Sequence, residues 1–245
     1  MRNPRIYTSE ALHSGQTVTL DDSAAHHVGK VLRMQSGQSL ILFNGDGTNY
    51  PAELDTVGKK EVTARVLGQE PGTCEPSLHI VLGQVISKGD RMDYVVQKST
   101  ELGVHTIVPL TSTRCDVRLK GDREEKRIRH WQQVAISAAE QCGRATVPVI
   151  APLVSVNDWI EQDHGCDLGL VLHHRTGPEL DQLAPPRQGV ALLIGPEGGL
   201  TEEEIAQAEA RGFQPTAMGP RVLRTETAPV AAITLCQWLW GDFRR

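Results

Sequence analysis

The sequence predicts an α/β fold: a domain built on a parallel sheet over residues 73–245, preceded by a small β-rich domain over residues 1–72. Three observations carry this. The apolar run 190–194 is short and sharply bounded, as a strand buried on both faces must be, and it leads through Gly195, Pro196, Gly198 and Gly199 into a helix start. From Leu78 onward, strand-like and helix-like segments alternate, the rhythm of βαβ units. Before residue 72 the pattern has period two and turn signals, with one helical interruption.

In chain order, residues 17–20 and 39–43 read as strands, and Asn44-Gly45-Asp46-Gly47 as a hairpin turn before a strand at 50–54. Residues 61–67 alternate, with Val62, Ala64 and Val66 on one face. A helix at about 23–34 has an apolar stripe of Ala24, Val28, Val31 and Leu32, leaving His26, Lys30 and Arg33 outward. The segment 69–76 is rich in turn residues and reads as the linker. Beyond it come a strand at 78–86, a helix at 90–101 closed by Gly103, a strand at 106–110 and a long helix at 122–141. Residues 147–150 and 168–172 read as strands, with Ser155 capping a short helix between them. Thr201 with Glu204 forms a capping box for a helix ending near Arg211, with Gly212 as its stop. Thr225 is placed to cap a final helix that runs to Trp240, with Pro229 tolerated in its first turn.

Composition narrows the function classes. Net charge is −5, so nucleic acid would have to be met by locally concentrated cations rather than bulk charge. Such a cluster spans 114–129; its second half reads as a mixed-charge helix face, whereas Arg114, Arg118 and Lys120 precede the helix and suit phosphate better. In the first domain Arg2, Arg5, Lys30 and Arg33 are further candidates, against the alternative of plain surface solvation. The five cysteines are scattered with no CxxC spacing and read as free thiols. His26-His27 and His173-His174 are adjacent pairs without the spacing of a helical zinc site, so no metal is expected. No signal peptide or membrane-length apolar run is visible, which makes the cytoplasm the default.

Two glycine-containing loops each enter a helix, about one βα unit apart: GPEGGLTEEE at 195–204 and MGPRVLRTETA at 218–228. Such loops suit opposite walls of one crevice beyond the strand ends. Neither has dinucleotide or P-loop spacing, and Glu197 would repel a phosphate. The alternative for the first loop alone is a connecting turn whose glycines solve a steric problem. Together, and with KSTELGV at 98–104 and EQCGR at 140–144, these stretches resemble the SPOUT methyltransferases. Within them the chain resembles the bacterial family that methylates N3 of a uridine in 16S ribosomal RNA. The resemblance implies S-adenosyl-L-methionine as cofactor, a knotted parallel-sheet methyltransferase domain, a PUA-like β-barrel that binds RNA at the N-terminus, and a homodimer acting on 16S ribosomal RNA or the small ribosomal subunit.

That reaction needs a group to accept the uracil N3 proton and one to stabilise negative charge on the flanking carbonyl oxygens. A guanidinium suits the second task, and Arg224 is the first candidate, with an ion pair to Glu226 or Glu197 as its structural alternative. Glu226 is the second, as proton acceptor or simply as a carboxylate at a helix N-terminus. Lys88 and Arg144 rank behind both and join the RNA-binding candidates. Cofactor contacts are expected from Leu172, Gly195, Gly199, Met218, Gly219 and Leu223, with Glu197 at the ribose or the cationic end, and Thr225 and Thr227 beside them. A ribose 2′-hydroxyl methyltransferase or a catalytically silent RNA-binding protein would share many of these motifs. The final helix is apolar nearly all round, so a partner subunit is the economical cover for its second side, against a central helix in a monomer.

Overall fold

The computed structural model describes residues 3–58, 61–172 and 178–244, so Arg2 and the pair His173-His174 lie outside the described residues. The chain forms two compact units. One comprises Met1–Glu75 with Ile136–Val147, the other Pro76–Ala135 with Pro148–Arg245. Residues 136–147, which the sequence assigns to the second domain, thus pack with the first.

The first unit holds β1 (Arg5–Tyr7), β2 (Thr17–Thr19), helix α1 (Asp22–His26), β3 (Ser39–Phe43), β4 (Thr48–Val57), β5 (Val62–Val66) and β6 (Glu70–Pro71). The sheet order is β1-β3-β4-β5-β2, with β6 on β4; β1 runs parallel to β3 and the other pairs are antiparallel. Inward residues such as Ile6, Val18, Leu40, Leu42, Leu54, Ala64 and Val66 form its core. At the hairpin the Tyr50 hydroxyl donates to Asp46 at 2.7 Å.

The helix expected at 23–34 is much shorter. Asp21 caps α1 by accepting the Ala24 amide at 2.8 Å, and from His27 to Val31 the backbone widens into a π turn. Its i→i+5 bond runs from the Leu32 amide to the His27 carbonyl at 2.9 Å, and Arg33 follows at φ 52°. The extra residue in the turn rotates the stripe, so Ala24 and Val28 stay buried while Val31 and Leu32 emerge to 58% and 39% exposure.

The returning segment 136–147 supplies side chains and carbonyls to β1. The Tyr7 amide donates to Glu140 at 2.9 Å, and the Arg5 guanidinium donates to the Arg144 carbonyl at 3.0 Å while lying over the Phe43 ring. Burial pushes the Glu140 carboxyl above its ordinary range. Glu75 accepts from the Ala145 and Thr146 amides and the Thr146 hydroxyl.

The second unit holds β7 (Ile80–Val85), α2 (Arg91–Glu101), β8 (Thr106–Thr111), the start of α3 (Asp122–Cys142), β9 (Val149–Ile150), β10 (Val154–Ser155), α4 (Val156–Ile160), β11 (Leu168–Leu172), β12 (Val190–Ile194), α5 (Glu202–Ala210), β13 (Phe213–Thr216) and α6 (Thr227–Trp240). Its sheet is all parallel, in the order β10-β8-β7-β12-β11-β13 with β9 on β8. Both faces are covered, which is why β7 and β12 are buried at every position. Val81, Val85, Val108, Leu110, Ala191 and Leu193 pack with Trp159 of α4 and Ala208 of α5. On the other face α6 packs on β7, β12 and α2. Each valine or leucine side chain among them contributes on the order of 1.5–3 kcal/mol when withdrawn from water.

Local signals set the helix starts. Ser155 accepts the Asp158 amide at 3.0 Å, and the Thr201–Glu204 box closes in both directions at 3.2 and 2.8 Å. The other carboxylate oxygen of Glu204 accepts the Thr113 amide at 2.8 Å, tying α5 to the end of β8. Helix α6 departs from expectation. Glu226 occupies the cap position with no side-chain cap bond, and the Thr225 hydroxyl is used elsewhere. Among the described residues no helix is long and apolar enough to cross a membrane.

Candidate active site

The two glycine-containing loops meet beyond the strand ends of the second unit. Strand β12 delivers the first, and its glycines are there for closeness. A β-carbon on Gly195 would come within 3.0 Å of Leu200 Cγ and 3.1 Å of the Leu200 backbone nitrogen. The second loop leaves β13 and turns at Gly219, whose φ of 73° disfavours any residue with a side chain.

The loops are joined in the protein interior. The Thr225 hydroxyl donates to the Gly195 carbonyl at 2.8 Å and accepts from Gln84 Nε2 at 3.1 Å, while Gln84 also donates to the Val85 carbonyl at 3.0 Å. Thr225 is therefore a crossbrace and not the helix cap expected of it: a cap needs the hydroxyl oxygen to accept a helix amide, and here that oxygen accepts from Gln84 while Glu226 holds the cap position.

A second join is ionic. Arg91, the first residue of α2, pairs through Nη1 with Glu197 of the first loop, and its Nε lies 3.8 Å from Glu226 at the end of the second. Glu197 also accepts the Lys88 amide at 3.4 Å. Arg114 donates to the Gly198 and Leu200 carbonyls at 3.1 and 3.3 Å, clamping the first loop from outside.

Between the loops lies a cavity of about 590 Å³. Of the residues the sequence put forward for a cofactor, Leu172, Gly195, Glu197, Gly199, Met218, Gly219, Leu223 and Thr225 line it; so do Arg224 and Glu226. Thr227 is exposed in the first turn of α6 and is not among the lining residues. Ile194, Leu200, Ile205 and Thr216 also line it, as do Arg91 and Arg114 at its edge. The size is that of a site for a cofactor-sized molecule, and the lining fits one: apolar side chains for a flat ring, loop backbone for its edges, and two carboxylates for hydroxyl or cationic groups.

The two catalytic candidates differ in freedom. The Arg224 side chain is 81% exposed and only 4.0 Å from Glu226, so its charge is available to a ligand. Glu197 pairs with Arg91 and not with Arg224. The Glu226 side chain is 17% exposed; Oε1 faces Arg91 and Arg224, and Oε2 is buried with no hydrogen-bond partner.

The proposed RNA contacts fall into three groups. Lys30 and Arg33 are exposed on the first unit. In the second, Arg118 is exposed, Lys88 is exposed but paired with Asp116 at 2.6 Å, and Arg114 both braces the first loop and borders the cavity. Arg5 and Arg144 are corrections: they are 8% and 3% exposed, because one is spent on a carbonyl and an aromatic ring and the other is enclosed beside Thr146. Burial is the main cause that lowers the Arg144 guanidinium from its ordinary range.

Sequence reasoning missed Arg91 and Gln84. Each left a signal. A cation at the first position of a helix sits against the helix dipole and calls for an acidic partner. A glutamine inside an otherwise apolar run, 80–86, must find buried partners.

Residues 74–237 match the model of an RNA methyltransferase domain, and residues 20–67 that of an RNA methyltransferase PUA domain. The ribosomal RNA small subunit methyltransferase E of Buchnera aphidicola (subspecies Acyrthosiphon pisum) is 36% identical over 98% of this chain and 95% of its own. A ribosomal RNA small subunit methyltransferase E of Neisseria gonorrhoeae, solved bound to S-adenosyl methionine, superimposes with a TM-score of 0.92 at 40% identity, over 99% of this chain and 100% of that one. A methyltransferase of Legionella pneumophila, solved with the cofactor SAM, gives 0.95 at 40% identity over the same shares.

Proposed function

This chain belongs to the RNA methyltransferase family, and from that premise we propose that it methylates N3 of one uridine in 16S ribosomal RNA. It is a ribosomal RNA methyltransferase that uses S-adenosyl-L-methionine. The observation that carries the base-directed reading is the pairing of an available guanidinium, Arg224, with a shielded carboxylate, Glu226, on one loop at the mouth of the cavity. The cofactor, when bound, supplies a methyl group on a sulfonium that is its own leaving group. The protein's part is electrostatic. Arg224 faces the uracil carbonyl oxygens as negative charge spreads onto them, and Glu226 is the nearest acceptor for the N3 proton. Arg224 ranks first because Glu226 already shares one oxygen with Arg91.

Leu172, Gly195, Gly199, Met218, Gly219 and Leu223, which line the 590 Å³ cavity, would hold the cofactor. Lys30 and Arg33 of the first unit, with Arg114 and Arg118 of the second, meet RNA phosphates. The working form is a cytoplasmic homodimer with the knotted chain path of its family. Support for the second copy comes from α6, where Leu235 and Trp238, three residues apart on one side, are 38% and 48% exposed.

The test uses the chemistry of the product. A methyl on uracil N3 occupies the pairing edge and stops reverse transcription, whereas a ribose methyl leaves that edge free. Extension on 16S ribosomal RNA from cells with and without the protein is expected to show one protein-dependent stop at a uridine. No such stop, with a new alkali-resistant linkage instead, would assign the ribose; neither signal would remove the catalytic reading. Sedimentation giving the mass of one chain at micromolar concentration would remove the dimer.

A further inference from the structure

Arg91 is the residue on which both loops converge. It stands at the N-terminus of α2, where the helix dipole repels a cation, so its placement there depends on the two carboxylates it meets. Those carboxylates come from different walls of the cavity: Glu197 follows β12 and Glu226 precedes α6. Glu226 in turn depends on Arg91. Its Oε2 is buried with no donor, and an ionised carboxylate in that state persists only beside a compensating charge. Arg91 and Arg224 stand at similar distances from Glu226, 3.8 and 4.0 Å, but Arg224 is 81% exposed whereas Arg91 is half as exposed and is held on a helix.

We propose that Arg91 is a positioning residue: its guanidinium spans the cavity mouth, holding Glu197 and Glu226 together and thereby fixing the loop that carries Arg224. The fork geometry matters. A guanidinium presents separate N–H groups in different directions, and Arg91 hydrogen-bonds Glu197 through Nη1 while Nε lies at ion-pair distance, 3.8 Å, from Glu226. A lysine ammonium carries its three donors on one nitrogen, so it cannot occupy the positions of Nη1 and Nε together. The inference rests on the two loops being the cofactor-site walls proposed above.

The experiment is amide hydrogen exchange on the full, ligand-free chain, comparing wild type with Arg91→Gln and Arg91→Lys. Arg91→Gln is expected to speed exchange several-fold in both loops, 195–200 and 218–226, and to leave β7, β8 and the first unit unchanged, in line with the modest worth of partly exposed ion pairs. Arg91→Lys is expected to restore one loop. In the Glu226→Gln background, Arg91→Gln should change 218–226 no further. Methyl transfer by the same variants should fall roughly tenfold in kcat, from the small displacement of Arg224, with the KM for S-adenosylmethionine within about threefold of wild type. Unchanged exchange in both loops, or a rise spread over the whole second unit, would overturn the brace. A wild-type protein that transfers no methyl group to ribosomal RNA would count against the functional reading alone, since exchange judges the brace without turnover.

Discussion

Replacing Thr225 by valine removes one hydroxyl and almost no volume, and the structure says what that hydroxyl does. It is the only link in the chain Gln84–Thr225–Gly195, with bonds of 3.1 and 2.8 Å at a residue 7% exposed. Without it, Gln84 Nε2 keeps only the Val85 carbonyl, and Gln84 Oε1 already lacks a partner. The Gly195 carbonyl loses its donor as well. A net hydrogen bond is worth about 1 kcal/mol, and a buried group left unsatisfied costs about 1–3 kcal/mol, so the expected loss is about 2–3 kcal/mol. For a chain of this size that corresponds to roughly 5–10 °C in Tm. Because the bond spans the two walls of the cavity, affinity for S-adenosylmethionine should fall with stability. Thr225→Ser keeps the hydroxyl and should recover most of both. Scanning calorimetry with and without the cofactor measures the two effects in one series. A valine variant that melts within about a degree of wild type and binds cofactor equally well would refute the crossbrace, as would a serine variant no better than valine.

Three further outcomes follow from the same structure. Arg224→Ala should lower the methylation rate by on the order of a hundredfold, with cofactor affinity and Tm nearly unmoved, because the side chain is mostly in solvent; Arg224→Lys should restore only part of the rate, as single-turnover kinetics beside a cofactor titration would reveal. Neutralising Lys30 and Arg33 together should weaken RNA binding and flatten its salt dependence without touching cofactor affinity, whereas Arg5→Gln should destabilise the first unit, as fluorescence anisotropy across a salt series and a melting curve would separate. Asp167 accepts the amides of Arg187, Gln188 and Gly189 just before β12, and these bonds hold its carboxyl at about 2 against an ordinary 3.8. A depressed carboxyl contributes stability above its unfolded value that is lost as pH falls through the folded one, so the Tm gap between wild type and Asp167→Asn should be constant above about pH 4 and shrink towards pH 2.

What was legible in the sequence was what neighbours in the chain decide. The capping box at Thr201–Glu204, the Ser155 cap and the apolar strand 190–194 are fixed by residues within a few positions of each other, and the structure has them where the pattern puts them. The crevice between the glycine loops was legible from the pair, each entering a helix about one βα unit apart, and not from either loop alone. Failures came where a partner is remote. Thr225 looks like a cap until Gln84, 141 residues earlier, donates to its oxygen. Arg5 looks like surface charge until a carbonyl 139 residues away and the Phe43 ring enclose it. The helix at 23–34 failed for another reason: a π turn and a straight α-helix share the same apolar residues, and only the backbone tells them apart.

The route of the chain has a practical consequence for anyone who would cut it. The first unit is discontinuous: the chain leaves it at Glu75 and returns for residues 136–147, entering partway along helix α3, which ends at Cys142. A fragment ending at Glu75 would strip the Tyr7 amide of Glu140, the Arg5 guanidinium of the Arg144 carbonyl, and Glu75 itself of Ala145 and Thr146. The unit is therefore no cassette. It cannot be deleted, swapped or grafted at a single splice in the linker, and a protease that nicks the linker alone should release nothing that stays folded. Gene rearrangement faces the same arithmetic: exchanging this unit between relatives demands matched junctions on both sides of the borrowed helix end.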